Sequence, residues 1–298
     1  MARVLVITNP AAARTQAQAV RAIEEVFRQA GWQAEVLATG GPGDARRLAA
    51  YGVASGADVV AVFGGDGTTM QAAAALVGTE VPLGVIPGGT GNLLAGNLRV
   101  PAHPVRAARA VLRGRPRVLD LGAVEREDGL HYFAVACGAG YDAKVMAGTP
   151  SSDKQKWGFL AYVATTLRHI GEVKSARHHL VVDGREYDAD AAMILVANCQ
   201  EVIPPLVKLG PNIRPDDGIL DVVVVRADSF WESVQAVWHI VRGEPVGDAF
   251  VAYTRGQEIR IASEPVQPLE LDGDAAGATP FTARVVPGAI RILAPDGG

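Results

Sequence analysis

Two apolar runs, Asp58–Phe63 and Pro82–Pro87, each break into a glycine turn that opens a helical stretch. The turns read Gly64-Gly65-Asp66-Gly67-Thr68 and Pro87-Gly88-Gly89-Thr90-Gly91-Asn92. A buried strand, a tight turn and a helix form the repeating unit of a parallel sheet covered on both faces. The chain up to Gly114 keeps to that unit. Residues 3–7 predict a strand. Val20, Ile23, Val26 and Phe27 recur at helical spacing over 15–30, and Gly31 closes that helix. A second strand follows over 33–39, and a second helix over 43–55 with Asp44 at its start. The helices after the glycine turns fall at about 68–77 and 91–97, and one more spans 104–114. Right-handed crossovers then give an open α/β sheet.

In such a sheet ligands gather at the carboxyl ends of the strands. Free N–H groups and the helix dipole favour an anion there. One glycine turn of this kind serves equally well as a plain strand-to-helix connection. Two on adjacent strands, both with threonine at the helix start, favour a nucleotide site. Asn9-Pro10, after the first strand, falls at the same edge. Neither turn matches G-x-G-x-x-G, and no G-x-x-x-x-G-K-[ST] string occurs. The lysines are Lys144, Lys154, Lys156, Lys174 and Lys208, all in the second half. A phosphate site in the first half must therefore use N–H groups, arginine or a metal. Asp66 sits awkwardly in a turn suited to an anion. Magnesium, which binds oxygen and bridges carboxylate to phosphate, would reconcile the two.

Near Asp120 the pattern changes to short strands separated by turn residues: "VLDLGAVER", "HYFAVACGAG", "RHHLVVDGREY", "DAAMILVANC", "GILDVVVVR", "EIRIAS" and "PLELDGD". Helices are expected at about 153–170 and 229–242, the latter with Phe230, Val234, Val237, Trp238 and Val241 on one face. The expected organisation is an α/β nucleotide-binding domain over 1–122 and a mostly antiparallel, β-sandwich-like domain over 123–284. A length of 298 residues accommodates both.

The net charge of -4 argues against a nucleic-acid partner. Cys137 and Cys199 lie in separate apolar segments, which fits neither a disulfide framework nor a metal site and points to a reducing cytoplasm. The apolar start "MARVLVITNPAAAR" is too short and too soon broken by Asn9-Pro10 to serve as a signal peptide. No uncharged apolar run is long enough to span a bilayer. Asp66, Asp120, Asp216, Asp217, Asp221, Asp272 and Asp274 are expected at turns or strand ends. "RPDDGILD" also reads as a solvated β-turn, and "LDGDA", taken alone, reads better as an Asp-Gly hairpin. Without G-x-S-x-G or H-E-x-x-H, and with scattered histidines, nucleophilic hydrolysis and zinc catalysis find little support. His178 and His179 are adjacent on a strand and point to opposite faces.

Taken in order, "ITNPAA", "GGDGTTMQAAAAL", "PGGTGNLLAGNL", "VLDLG", "FAVACGAGYDA", "PDDGILDV" and "LELDGD" resemble the bacterial diacylglycerol kinase and sphingosine kinase superfamily of lipid kinases. The resemblance covers nearly the whole chain. It implies two domains across a cleft, a last strand at about 285–294 (within 285–298) that returns to the first domain, and ATP-dependent phosphorylation of a lipid hydroxyl. By motif position it implies ATP contacts from Asn9, Thr39, the run Gly64, Gly65, Asp66, Gly67, Thr68, Thr69 and Met70, and from Gly89, Thr90 and Asn92. Asp272 would be the general base, with Asp274 where the family usually has glutamate. Asp217 and the carbonyls of Arg214 and Ile219 would hold a structural Mg2+, and Asp66 and Asp120 would join a water network leading from it. The chain departs from the diacylglycerol kinase pattern at Leu93, where that branch usually has aspartate, and at Met70-Gln71, where Asn-Glu is frequent.

The resulting expectation is in-line transfer from MgATP to a lipid alcohol such as a diacylglycerol or a sphingoid or ceramide-type lipid. The protein would be cytoplasmic and would touch the inner face of the membrane transiently. The segment 151–173, with Lys154, Lys156 and Trp157 before an apolar stretch, reads as a core helix or as that membrane contact. The alternatives are a soluble-substrate kinase of the NAD-kinase type and a non-catalytic nucleotide or lipid sensor. A homo-oligomer is left open.

Overall fold

The computed structural model of the chain describes residues 1–140, 175–205, 207–210, 212–226 and 251–295. Residue contacts divide it into two compact units, Met1–Leu119 with Gly288–Gly298, and Asp120–Pro287.

The first unit runs β1 (Arg3–Thr8), α1 (Ala17–Gln29), β2 (Gln33–Ala38), α2 (Asp44–Ala54), β3 (Val59–Gly64), α3 (Asp66–Leu76), β4 (Leu83–Pro87), α4 (Leu93–Asn97) and α5 (Pro104–Arg113). β1 pairs in parallel with β2 and β3, and β3 with β4, giving the order β2-β1-β3-β4. Every residue of β3 and β4 is buried, as strands covered by helices on both faces require. Ile23, Val26 and Phe27 form the buried stripe of α1, and Gly31, at φ +78°, stops it. Pro104 opens α5, where its missing N–H costs no helical bond. α3 begins at Asp66, earlier than the spacing predicts, so Asp66 and Gly67 belong to its first turn. The apolar pattern could not mark that start, because small and polar residues fill the turn.

The second unit contains β5 (Arg115–Arg126), β6 (Gly129–Phe133), β7 (Ala136–Gly140), β8 (Ala176–Val182), β9 (Arg185–Ala191), β10 (Met193–Ala197), β11 (Glu201–Ile203), β12 (Val207–Lys208), β13 (Leu220–Val225), β14 (Val251–Gly256), β15 (Glu258–Glu264), β16 (Pro268–Leu271) and β17 (Asp274–Ala278). A last strand, β18 (Phe281–Ala294), follows. β5 and β18 both run through the division between the units. β18 pairs antiparallel with β15 through its first residues, and in parallel with β4 at Ile292 and Leu293. The residues from Gly288 onward group with the first unit.

One antiparallel sheet has the order β14-β13-β10-β7-β16-β17. A second antiparallel set runs β9-β8-β15-β18. Leu180, Ile194, Val222, Ile261 and Leu269 belong to the apolar core that both supply, and Phe133 of β6 joins it. β8 alternates as a half-buried strand should, with His178 inward and His179 exposed. His178 is satisfied there by the Ser263 hydroxyl at 2.8 Å and the Ala191 carbonyl at 3.2 Å, and burial pushes its pKa down.

Two expectations need correction. "HYFAVACGAG" is two strands, β6 and β7, parted at Ala134-Val135, whose N–H groups bind a side chain instead of a neighbouring strand. Asp120 is neither at a turn nor at a strand end. It lies buried inside β5, which starts at Arg115. The predicted helices 153–170 and 229–242 and the segment 151–173 lie outside the described residues.

Candidate active site

In the first unit, parallel pairing brings four strand ends level: Thr8 faces Ala38 and Phe63, and Gly64 faces Pro87. Asn9, Thr39, the Gly64–Met70 run and Gly89–Asn92 all follow those ends, so they share one sheet edge. The Asn9 amide donates to the Thr68 hydroxyl at 2.9 Å, and the Thr39 N–H donates to the Thr8 carbonyl at 2.8 Å. Thr69 is buried and its hydroxyl donates to the Gly65 carbonyl at 3.0 Å. Met70 is partly buried, whereas Thr90 is exposed.

The two glycine turns lie against each other. The Gly88 N–H donates to the Gly64 carbonyl at 2.8 Å. A Cβ added at Gly89 would lie 2.6 Å from the Gly65 Cα, far inside contact distance. Asn92, at φ +52°, clamps Gly89 from both sides: its Oδ1 accepts the Gly89 N–H at 3.0 Å and its Nδ2 donates to the Gly89 carbonyl at 2.7 Å. Asp66 closes the arrangement by accepting the Leu93 N–H on Oδ1 at 2.7 Å. The carboxylate that seemed to oppose an anion thus holds the second turn to the first, from the helix terminus where a negative charge is favoured. Position 93 contributes through its backbone, so leucine fits it. Gln71 accepts the Gly43 N–H at 3.1 Å and ties α3 to the turn before α2.

In the second unit, Asp272 occupies the Asp-Gly turn between β16 and β17. Asp272 and Gly273 have φ of +49° and +85°, as a two-residue hairpin with both central residues left-handed requires. The hairpin reading of "LDGDA" is therefore what the backbone shows. The Asp272 carboxylate receives three backbone N–H bonds: Ala134 to Oδ2 at 2.8 Å, and Val135 and Ala136 to Oδ1 at 2.8 and 3.0 Å. Its own N–H donates to the Ala136 carbonyl at 2.9 Å. Burial pushes its pKa up to about 6, the three N–H bonds pull against that, and the charge of Asp274 adds to the rise. Asp274 itself is exposed at the start of β17. Because Oδ2 carries a single one of these bonds, it retains a lone pair for a hydroxyl.

Asp120 belongs to the second unit and Asp66 to the first. Asp120 holds the 214–219 turn: its Oδ2 accepts the Gly218 N–H at 2.7 Å and its N–H donates to the Pro215 carbonyl at 2.7 Å. In that turn Asp217 Oδ1 accepts the Ile219 N–H at 3.2 Å, and the Arg214 side chain pairs with Asp216 at 3.1 Å. Asp221, half-buried on β13, is pushed up to about 6, first by burial and then by the charge of Asp217. Two neighbouring carboxylates, one raising the pKa of the other, are the kind of oxygen ligand a hard cation takes. Among the described residues no group of three or more His, Cys, Asp or Glu side chains gathers around a common point. A cation here would therefore depend on carbonyls such as those of Arg214 and Ile219.

Sequence reading missed Asn198 and Cys199, which grip the carbonyls of the segment that seats Asp272. A single asparagine after an apolar strand carries no signal of that kind. It also missed the backbone role of Leu93, since side-chain patterns do not register N–H donors.

Residues 3–124 match the family model of the diacylglycerol kinase catalytic domain, and residues 135–294 that of the YegS C-terminal NAD kinase beta sandwich-like domain. The chain is 30% identical to a diacylglycerol kinase of Mycobacterium tuberculosis, over 99% of this chain and 96% of the relative. It is 28% identical to a diacylglycerol kinase of Bacillus subtilis, over 94% and 92%. Among solved structures, that of a diacylglycerol kinase from Bacillus anthracis superposes with a TM-score of 0.75 at 21% identity, covering 99% of this chain and 97% of that one.

Proposed function

This chain belongs to the diacylglycerol kinase-like lipid kinase family, and from that membership we propose that it transfers the γ-phosphoryl group of ATP to the hydroxyl of a lipid alcohol, with diacylglycerol as the first candidate. The observation that carries the proposal is the seat of Asp272, a carboxylate fixed by three N–H donors and pushed up to about 6. A base with that pKa is ionised at neutral pH yet basic enough to take a proton as the O–P bond forms.

Each residue then has a defined task. The glycine turns, with Asn9, Thr39 and Thr90 at the same edge, bind the phosphates through N–H groups and hydroxyls. Asp66 keeps the two turns in register by holding the Leu93 N–H. Asp272 accepts the hydroxyl proton on Oδ2. Asp274, exposed beside it, supports the basicity of Asp272 by its charge. Asp217 and the carbonyls of Arg214 and Ile219 would hold Mg2+, which would supply positive charge to stiffen the turn that Asp120 anchors. In-line phosphoryl transfer asks mainly for positioning and charge stabilisation, so a protein without a covalent nucleophile suffices.

The acceptor is drawn from a membrane surface during transient peripheral contact. No helix among the described residues is long and apolar enough to cross a membrane. The direct test is incubation with γ-labelled ATP and a total lipid extract, followed by chromatography of the organic phase. Label in a phosphorylated lipid alcohol is the expected result. Label confined to water-soluble products, with NAD among the acceptors offered, would transfer the chain to soluble-substrate kinases. Tight ATP binding with no transfer at all would make it a sensor.

A further inference from the structure

Asn198 follows β10 and is buried, 1% exposed. Its amide makes two donations, to the Asp120 carbonyl at 3.0 Å and to the Ala134 carbonyl at 2.9 Å. Its own N–H and that of Cys199 both donate to the Val135 carbonyl, at 2.8 and 3.0 Å. The Cys199 thiol donates to the Ala134 carbonyl at 3.1 Å. These two carbonyls belong to the same peptide planes as the Val135 and Ala136 N–H groups, and both N–H groups bond Asp272 Oδ1. Each plane therefore has its oxygen held from the Asn198-Cys199 side and its hydrogen aimed at Asp272.

The geometry points to the Asn198 side chain as a positioning group that orients and polarises the Ala134-Val135 peptide plane seating Asp272, and that joins it to Asp120, the anchor of the 214–219 turn. The inference rests on the reading of Asp272 as the general base for its catalytic consequence, though its structural part does not. A bond to a peptide oxygen strengthens the donor power of that peptide's N–H. Stronger donors favour the charged carboxylate. Asn198 Oδ1 is buried with no hydrogen-bond partner among the described residues. Among the described residues the side chain therefore serves through its two donors, and an apolar side chain would avoid the cost of the unpaired acceptor.

Among the described residues the groups that act on Asp272 or that it acts on are few. Asp274 raises its pKa, and the thiols of Cys137 and Cys199 are held neutral, mainly by burial and then by the charge of Asp272 itself. Glu201 acts on Cys199 in the same direction. Neither thiol titrates near neutrality, so the acidic window belongs to the carboxylates.

The test is a carboxyl-carbon NMR titration of protein labelled with 13C-aspartate. The Asp272 resonance is assigned by its absence from the Asp272→Asn spectrum. In Asn198→Leu, which is apolar and has the same branching, its midpoint should rise by about 0.5 unit or more. Asn198→Ser, which keeps one donor on a shorter side chain, should move it less in the same direction and provides the test if the leucine variant does not fold. An unchanged midpoint in a folded variant overturns the inference. The acid limb of the turnover profile should move with the resonance. A resonance that moves while the kinetic limb stays supports the positioning role and overturns the base assignment instead, so the two failures are distinguishable.

Discussion

Replacing Asp272 with asparagine is expected to lower turnover by roughly 10²- to 10⁴-fold, the usual worth of a positioned general base. ATP affinity should stay within about twofold, because the hydrogen bonds that build the glycine turns involve none of the residues around Asp272. The substitution keeps shape and one acceptor. Asn Oδ1 can still receive the Val135 and Ala136 N–H bonds, but its amide nitrogen then meets the Ala134 N–H, which now bonds Oδ2 at 2.8 Å. A donor set against a donor costs about 1–3 kcal/mol. The melting temperature should therefore fall modestly while the variant stays folded. Measuring turnover, ATP dissociation constant and thermal unfolding on one preparation separates lost chemistry from lost structure. Normal turnover would remove Asp272 from the mechanism.

The second large effect is expected at Gly89. A methyl group there would lie 2.6 Å from the Gly65 Cα, backbone against side chain, where no rotamer change relieves the clash. The two turns must separate, which strains the Gly88 to Gly64 bond, the Asn92 clamp and the Asp66 bond to Leu93 together. Overpacking of this kind costs about 1–3 kcal/mol. Gly89→Ala should weaken ATP binding by roughly tenfold or more, because N–H groups aimed at phosphate act only in register. Gly41→Ala is the control: nothing lies within 4 Å of a Cβ there, so it should leave stability and binding nearly unchanged. Equal ATP affinity in the two variants would mean that the glycine turns serve the fold alone.

These expectations depend on features of differing visibility in the sequence. The β-α order of the first unit was legible because β1, β3 and β4 are largely apolar runs and α1 carries a periodic stripe closed by Gly31. The β-rich second unit was legible from alternation, which placed His178 and His179 on opposite faces. Less legible was whatever depends on partners far apart in the chain. Ala134 and Asp272 are separated by 138 residues, so the break between β6 and β7 could not be read locally. The Asp272 hairpin was visible from Asp-Gly, whereas its three donors were not. Leu93 looked like a missing carboxylate, yet the contact it makes is a backbone N–H to Asp66, a bond open to almost any residue. The glycines of both turns were visible as a phosphate-type pattern, but their first structural use is to let two backbones touch.

The central claim is that an ionised Asp272 takes the proton as phosphate is transferred from ATP to a lipid alcohol. Its most direct test is the pH dependence of kcat/KM for label transfer from γ-labelled ATP to diacylglycerol in vesicles, measured from acid to mildly alkaline pH. The base works when deprotonated, and burial with the Asp274 charge pushes its pKa up to about 6. Transfer should therefore be full above that value and fall towards one decade per pH unit below it. A rate that stays level as pH drops through that window would contradict the account.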